Sequence, residues 1–108
     1  GVRVRAHKAL RRKGSHIYSD LTVDVTEAVL GTEAEIETVD GPHQLQIEPG
    51  TQPGAVVKLR GRGVPRIRRP DRGDHFVTVN VTVPGRLTGR QRQLFQELGH
   101  IHEQSSGE

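Results

Sequence analysis

Chemistry in this chain must come from hydroxyl, imidazole, carboxylate and guanidinium groups, because the sequence contains no cysteine. Disulfides, thiolate metal centres and cysteine nucleophiles are therefore excluded together. Ser15 and Ser19 lie near His16, the residue types of a nucleophile and its base. Neighbours along a strand point to opposite faces, however, so these three do not converge. The histidines are His7, His16, His43, His75, His100 and His102. A zinc site needs ligands at converging spacing, such as i and i+4 on a helix, whereas His100 and His102 diverge on one. They read as scattered surface histidines. The acids fall mostly on outward positions of alternating runs, where solvation keeps a carboxylate ordinary. No catalytic residue, metal site or cofactor is expected, and the chain reads as a non-enzyme.

The densest charge is basic. Residues 58–72 carry Lys58, Arg60, Arg62, Arg66, Arg68, Arg69 and Arg72, and residues 3–13 carry Arg3, Arg5, Lys8, Arg11, Arg12 and Lys13. Between the two blocks, residues 20–48 hold Asp20, Asp24, Glu27, Glu33, Glu35, Glu37, Asp40 and Glu48 with no lysine or arginine. The formal net charge of +3 conceals this segregation. "GRGVPRIRRPDRGDHF" (61–76) raises the question of a phosphate grip. A phosphate loop needs backbone N–H groups opening a helix, in the pattern G-x-x-x-x-G-K-[ST]. No Lys-Ser or Lys-Thr follows here, and Pro65 and Pro70 each remove a donor. The blocks would attract a nucleic acid, but single-strand binders add stacking aromatics, and this loop offers Phe76 alone at its end. Arg72-Gly73-Asp74 spells an adhesion tripeptide, a match short enough to arise by chance.

The elements that would position these groups alternate with period two. "LTVDV" sets Leu21, Val23 and Val25 inward, "AEIET" sets Ala34, Ile36 and Thr38 against Glu35 and Glu37, and "VKLR" sets Val57 and Leu59 against Lys58 and Arg60. "VRVRA" places Val2, Val4 and Ala6 on one face, "LQI" pairs Leu45 with Ile47, and "FVTVNVTV" aligns Val77, Val79, Val81 and Val83. Half-buried antiparallel strands with one wet face give this pattern. Asp40-Gly41 marks a hairpin, and "EPGTQPG" and "GRGVPR" end strands. Glu27 to Leu30, closed by Gly31, predicts one helical turn. At Thr88 the period changes: Thr88 and Gln91 have capping-box spacing, and Leu94, Phe95, Leu98 and Ile101 share a helical face. Gly99 either ends or weakens that helix. With three aromatics, Tyr18, Phe76 and Phe95, the core must be aliphatic. The fold class is mainly β: a small two-layer β-sandwich of about six strands, a short helical turn and one C-terminal amphipathic α-helix. No apolar run is long enough to span a membrane.

"LTVDVTEAVLGTEAEIETVDG", "IEPGTQPGAVVKLRGRGVP", "RGDHFVTVNVTVP" and "LTGRQRQLFQELG" also occur in an order and spacing that resembles the C-terminal half of DnaJ-type J-domain co-chaperones. The likeness covers nearly the whole chain. It implies residues 1–19 as the exit strand of a preceding β-domain and linker, 20–86 as a second β-domain, and 87–108 as a dimerisation helix and polar tail. It implies a cytoplasmic homodimer joined through Leu94, Phe95, Leu98 and Ile101. Its partners would be unfolded polypeptides and, through the full-length protein, a 70-kDa heat-shock chaperone. Client peptides are expected over Val23, Val25 and Ile36, by analogy with the family's first β-domain. Gly61, Gly63, Pro65 and Gly73 become structural turn residues, and the arginines around them a solvated surface. The family pattern often has small residues where this chain reads Arg68-Arg69-Pro70-Asp71, which makes the loop unusually basic. No His-Pro-Asp loop and no Cys-rich repeat occurs in these residues, so stimulation of an ATPase by this chain alone is not expected. The runner-up reading is a basic nucleic-acid-binding β-domain. A third is a spacer that binds nothing.

Overall fold

The computed structural model describes residues 4–5 and 10–105. Val2, Arg3, Ala6, His7, Lys8 and the end of the polar tail lie outside the described residues, as do the side chains of Val4, Arg5 and His102. Seven strands and two helices occur among the described residues: β1 (Val4–Arg5), β2 (Arg11–Lys13), β3 (His16–Asp24), α1 (Val25–Leu30), β4 (Thr32–Thr38), β5 (Gly41–Ile47), β6 (Val56–Leu59), β7 (His75–Thr82) and α2 (Gly89–Ser105). One sheet has the order β1-β4-β5 and the other β2-β3-β7-β6. The mainly β fold with a C-terminal helix is as the alternation predicts.

The core is the sum of the inward positions. Leu21 and Val23 of β3, Val77 and Val79 of β7, Ala34 and Ile36 of β4, and Leu45 and Ile47 of β5 interdigitate, with Ala28 of α1 packed among them. Val57, Leu59 and Val81 close its margin. Each buried Val, Leu or Ile side chain contributes about 1.5–3 kcal/mol relative to exposure, and no aromatic residue takes part.

Strand direction departs from expectation. The central pair β3 and β7 is parallel, from Ile17 opposite His75 to Asp24 opposite Thr82. β1 is also parallel to β4. Side chains alternate with period two whichever way the neighbour runs, so alternation carries no information on direction. A parallel pair needs a long crossover, which the chain supplies through α1, β4, β5 and β6. The expected boundary after residue 19 falls inside β3.

The helical turn begins two residues earlier than predicted. Asp24 caps it: its carboxylate accepts from the Glu27 N–H at 2.8 Å, and the Glu27 carboxylate accepts from the Asp24 N–H at 2.9 Å. The Thr26 hydroxyl and the Glu27 N–H hold the Asp24 carboxyl below its usual range. Val25 is therefore the first residue of α1 and not an inward strand position. Gly31 ends α1 at φ 85°, and a Cβ there would lie 2.9 Å from the Ile47 carbonyl oxygen. β7 stops at Thr82, so Val83 leaves the expected row and is exposed.

Candidate functional site

The basic loop is anchored by backbone contact. Gly61 takes φ 73° and donates its N–H to Asp74 Oδ1 at 2.8 Å. That bond, with Lys58 nearby, holds the Asp74 carboxyl below its usual range. Gly63 and Gly73 are required for a different reason: a Cβ on either would collide with the Ser15 carbonyl. The Gly63 N–H donates to the Gly73 carbonyl at 2.9 Å, the Val64 N–H to Ser15 at 2.8 Å and the Gly73 N–H to Val64 at 3.0 Å. Pro65 bridges to Arg72 above this junction.

The arginines divide into two sets. Arg72 donates to the Gly63 carbonyl at 2.7 Å and pairs with Asp40 at 2.9 Å, tying the loop to the β4–β5 turn. Arg66 lies 3.7 Å from Asp71. Arg62, Arg68 and Arg69 are exposed, as a solvated surface requires. Arg68 sits at φ 64°, left-handed for a residue with a side chain.

The structure corrects the reading of His75 as a surface residue. It is fully buried, and its Nε2 lies 2.7 Å from the Ser19 hydroxyl, which is also buried. Its Nδ1 has no partner. Burial, with His43 nearby, pushes the imidazole below its usual pKa. Ser19 was weighed only against His16; its actual partner lies 56 residues away on β7 and could not be named from spacing. The pair is closed to solvent and no carboxylate bonds Nδ1, so it is a buried hydrogen bond of the core that leaves one ring nitrogen unpaired. Among the described residues no cluster of three or more His, Cys, Asp or Glu side chains is placed to hold a metal.

A second feature missed from sequence is a cross-strand row on the outer face of the four-stranded sheet. Arg11, Tyr18, Phe76 and Lys58 lie opposite one another across four strands. Tyr18 stacks on Phe76 with centroids 5.3 Å apart, and His16 meets Phe76 edge-on. Arg11 pairs with Asp20 at 2.8 Å and Lys58 with Asp74 at 3.6 Å. One face of each ring is thus occupied and both cations are paired, a poor arrangement for stacking bases along a phosphate chain.

The residues expected to bind a client are dispersed. Val23 and Ile36 are each 1% exposed inside the core, and Val25 is half-buried at the start of α1. In this conformation Val23 and Ile36 join the sheets and present no surface to a peptide.

The helical stripe is exposed. Thr88 and Gln91 form the expected reciprocal cap, at 3.1 Å and 2.8 Å. Gly99 does not end α2, which continues to Ser105. Leu94, Leu98 and Ile101 are 46%, 59% and 60% exposed, and Phe95 is half-buried. Thr26, Gln91, Leu94, Phe95 and Leu98 line an apolar hollow of about 240 Å³ between α2 and α1. No helix among the described residues is long and apolar enough to cross a membrane.

Comparison with known proteins places this arrangement. The chain is similar to the chaperone protein DnaJ of Syntrophobacter fumaroxidans, with 43% identity over 107 residues, 99% of this chain and 28% of that protein. It is 44% identical to DnaJ of Roseiflexus sp. over 94% of its length, and 40% identical to that of Gloeothece citriformis over 96%, again spanning 28% of each relative. The model of the DnaJ C terminal domain matches residues 1–84. With that match and these identities, the chain belongs to the DnaJ C-terminal domain family.

Proposed function

We propose that this chain is the client-binding and dimerising module of a cytoplasmic co-chaperone, which within its full-length protein delivers unfolded polypeptides to a 70-kDa heat-shock chaperone. Family membership supports the class of activity, since the relatives it matches are named chaperone protein DnaJ. The observation that carries the reading is the α2 stripe. Leu94, Leu98 and Ile101 stand in solvent beside a sandwich whose own core is already closed. In this reading residues 87–108 form the dimer element, and the sandwich, which includes β2 and the start of β3, carries it.

Light scattering on the chain tests this directly. The wild type is expected at twice the monomer mass, and Leu94→Asp with Leu98→Asp at the monomer mass with an unchanged circular dichroism spectrum. A folded double mutant that keeps the wild-type mass removes the dimer role. The nucleic-acid reading loses support because its best-placed aromatics and cations are engaged with each other and with Asp20 and Asp74. Binding of an oligonucleotide that falls steeply with salt would restore it.

A further inference from the structure

Basic residues from both charged blocks of the sequence meet at one end of the sandwich. The β2–β3 hairpin turns at Gly14-Ser15, and the Ser15 carbonyl accepts the Val64 N–H of the basic loop at 2.8 Å. Arg12 and Lys13, both exposed, therefore stand at the same end as that loop. β7 leaves this end at His75 and runs away from it to Thr82. α2 faces Thr26, which follows the far end of β3. The basic loop and the apolar stripe of α2 thus occupy opposite ends of the sandwich.

The apex of the loop is a closed turn. Pro65 bridges to Arg72, and the Arg66 N–H donates to the Asp71 carbonyl at 3.2 Å. Between them Ile67, Arg68, Arg69 and Pro70 form the turn, and all of these are exposed. Ile67 is 87% exposed, more than any other large hydrophobic residue described. Below the apex, Gly63 and Gly73 are seated against Ser15, and Arg72 clamps the Gly63 carbonyl. A braced stem therefore presents the apex, which lowers the ordering cost of binding through it.

The charge around this apex is uncompensated. Asp40, Asp71 and Asp74 are already paired, with Arg72, Arg66 and Lys58. Arg12, Lys13, Arg60, Arg62, Arg68 and Arg69 form no ion pair among the described residues. The surplus is positive, and Ile67 stands bare beside it. A hydrophilic polyanion would satisfy the guanidinium groups and leave Ile67 in water. An anionic bilayer takes both: arginine forks bind lipid phosphates, and an aliphatic side chain enters the boundary between headgroups and acyl chains.

We propose that the 61–72 loop docks this domain on anionic lipid bilayers, with Ile67 inserted and Arg62, Arg68 and Arg69 on lipid phosphates. The chain lies on the membrane and does not span it. A few cations and one aliphatic side chain give a weak, reversible contact. The proposal goes beyond the co-chaperone reading and does not depend on it, since the α2 stripe at the opposite end stays free.

Co-sedimentation with vesicles of phosphatidylglycerol and phosphatidylcholine in equal parts tests it. Wild type is expected to sediment with them and not with vesicles of phosphatidylcholine alone, and to be released by rising salt. Arg68→Gln with Arg69→Gln should lower the partition about tenfold or more, and Ile67→Ser about fivefold. All three changes are at the exposed apex, and circular dichroism confirms that the variants fold. The sequence has no tryptophan, so Ile67→Trp adds a single reporter. Its emission should shift to the blue on the mixed vesicles and be quenched by brominated acyl chains. Equal sedimentation with phosphatidylcholine alone, or an indole emission that the mixed vesicles leave unchanged, would overturn the proposal. So would binding that the apex variants keep and Leu94→Asp with Leu98→Asp loses, which would assign the contact to α2. An oligonucleotide or an acidic peptide bound more tightly than the vesicles, and unaffected by Ile67→Ser, would replace the bilayer with a soluble polyanion.

Discussion

β7 and α2 each carry a row of aliphatic side chains, and the two rows end in opposite environments. Val77 and Val79 are fully buried between the sheets, whereas Leu98 and Ile101 are more than half exposed on a helix beyond the last strand. The difference lies in what faces each row. β7 is hydrogen-bonded to β3 on one side and β6 on the other, and its inward face meets β4, β5 and Ala28. α2 faces the sandwich across the hollow that Leu94, Phe95 and Leu98 line with Thr26, and Leu98 and Ile101 remain mostly in water. One row holds the fold; the other is surface available for association.

Mutations sharpen the contrast, beginning where backbone meets backbone. Gly73→Ala is expected to have the largest effect, several kcal/mol or loss of folding, because its Cβ would strike the Ser15 carbonyl and that backbone cannot yield cheaply. Urea denaturation followed by circular dichroism measures it. A wild-type midpoint would show that the junction is looser than its geometry.

Val79→Ala and Leu98→Ala compare the two rows directly. Removing core volume at Val79 should cost roughly 2–3 kcal/mol. Leu98→Ala should leave the unfolding free energy of dilute protein within about 0.5 kcal/mol of wild type and lower the temperature of unfolding only at concentrations where the chain associates. Equal losses at both positions would mean that α2 packs on its own sandwich.

The smallest expected effect comes from pH. His75 is neutral when folded, with its pKa below the ordinary 6.5. Between the folded and unfolded values the unfolded chain binds more protons, so stability rises with pH across that window. The contribution is complete above pH 6.5 and is lost as the pH falls below it. The urea midpoint should therefore drop from pH 7.5 to pH 5.5, while the His75 imidazole resonances of the folded protein titrate below pH 6.5. Titration of His75 near pH 6.5 with the fold intact would contradict its burial.

Much of this molecule was legible in its residues. Period-two alternation marked β3, β4, β5 and β7, the Thr88–Gln91 spacing gave the cap of α2, and Asp40-Gly41 gave the hairpin, because each signal is local. Gly63 and Gly73 were recognised as structural, though for turn conformation; their actual role is close approach to Ser15, a segment far away in sequence. His75 was misplaced because one residue type serves a surface and a core equally well, and only its placement against Ser19 on the neighbouring strand decides between them.

By itself the sequence determined which residues alternate, which helix is amphipathic and that the core is aliphatic, since these follow from short-range periodicity and composition. The tertiary structure alone decided that β3 and β7 run parallel, and that Val23 and Ile36 are closed off while Leu98 and Ile101 are open. Those outcomes depend on which distant segments become neighbours, and a local pattern is the same whichever neighbour covers it.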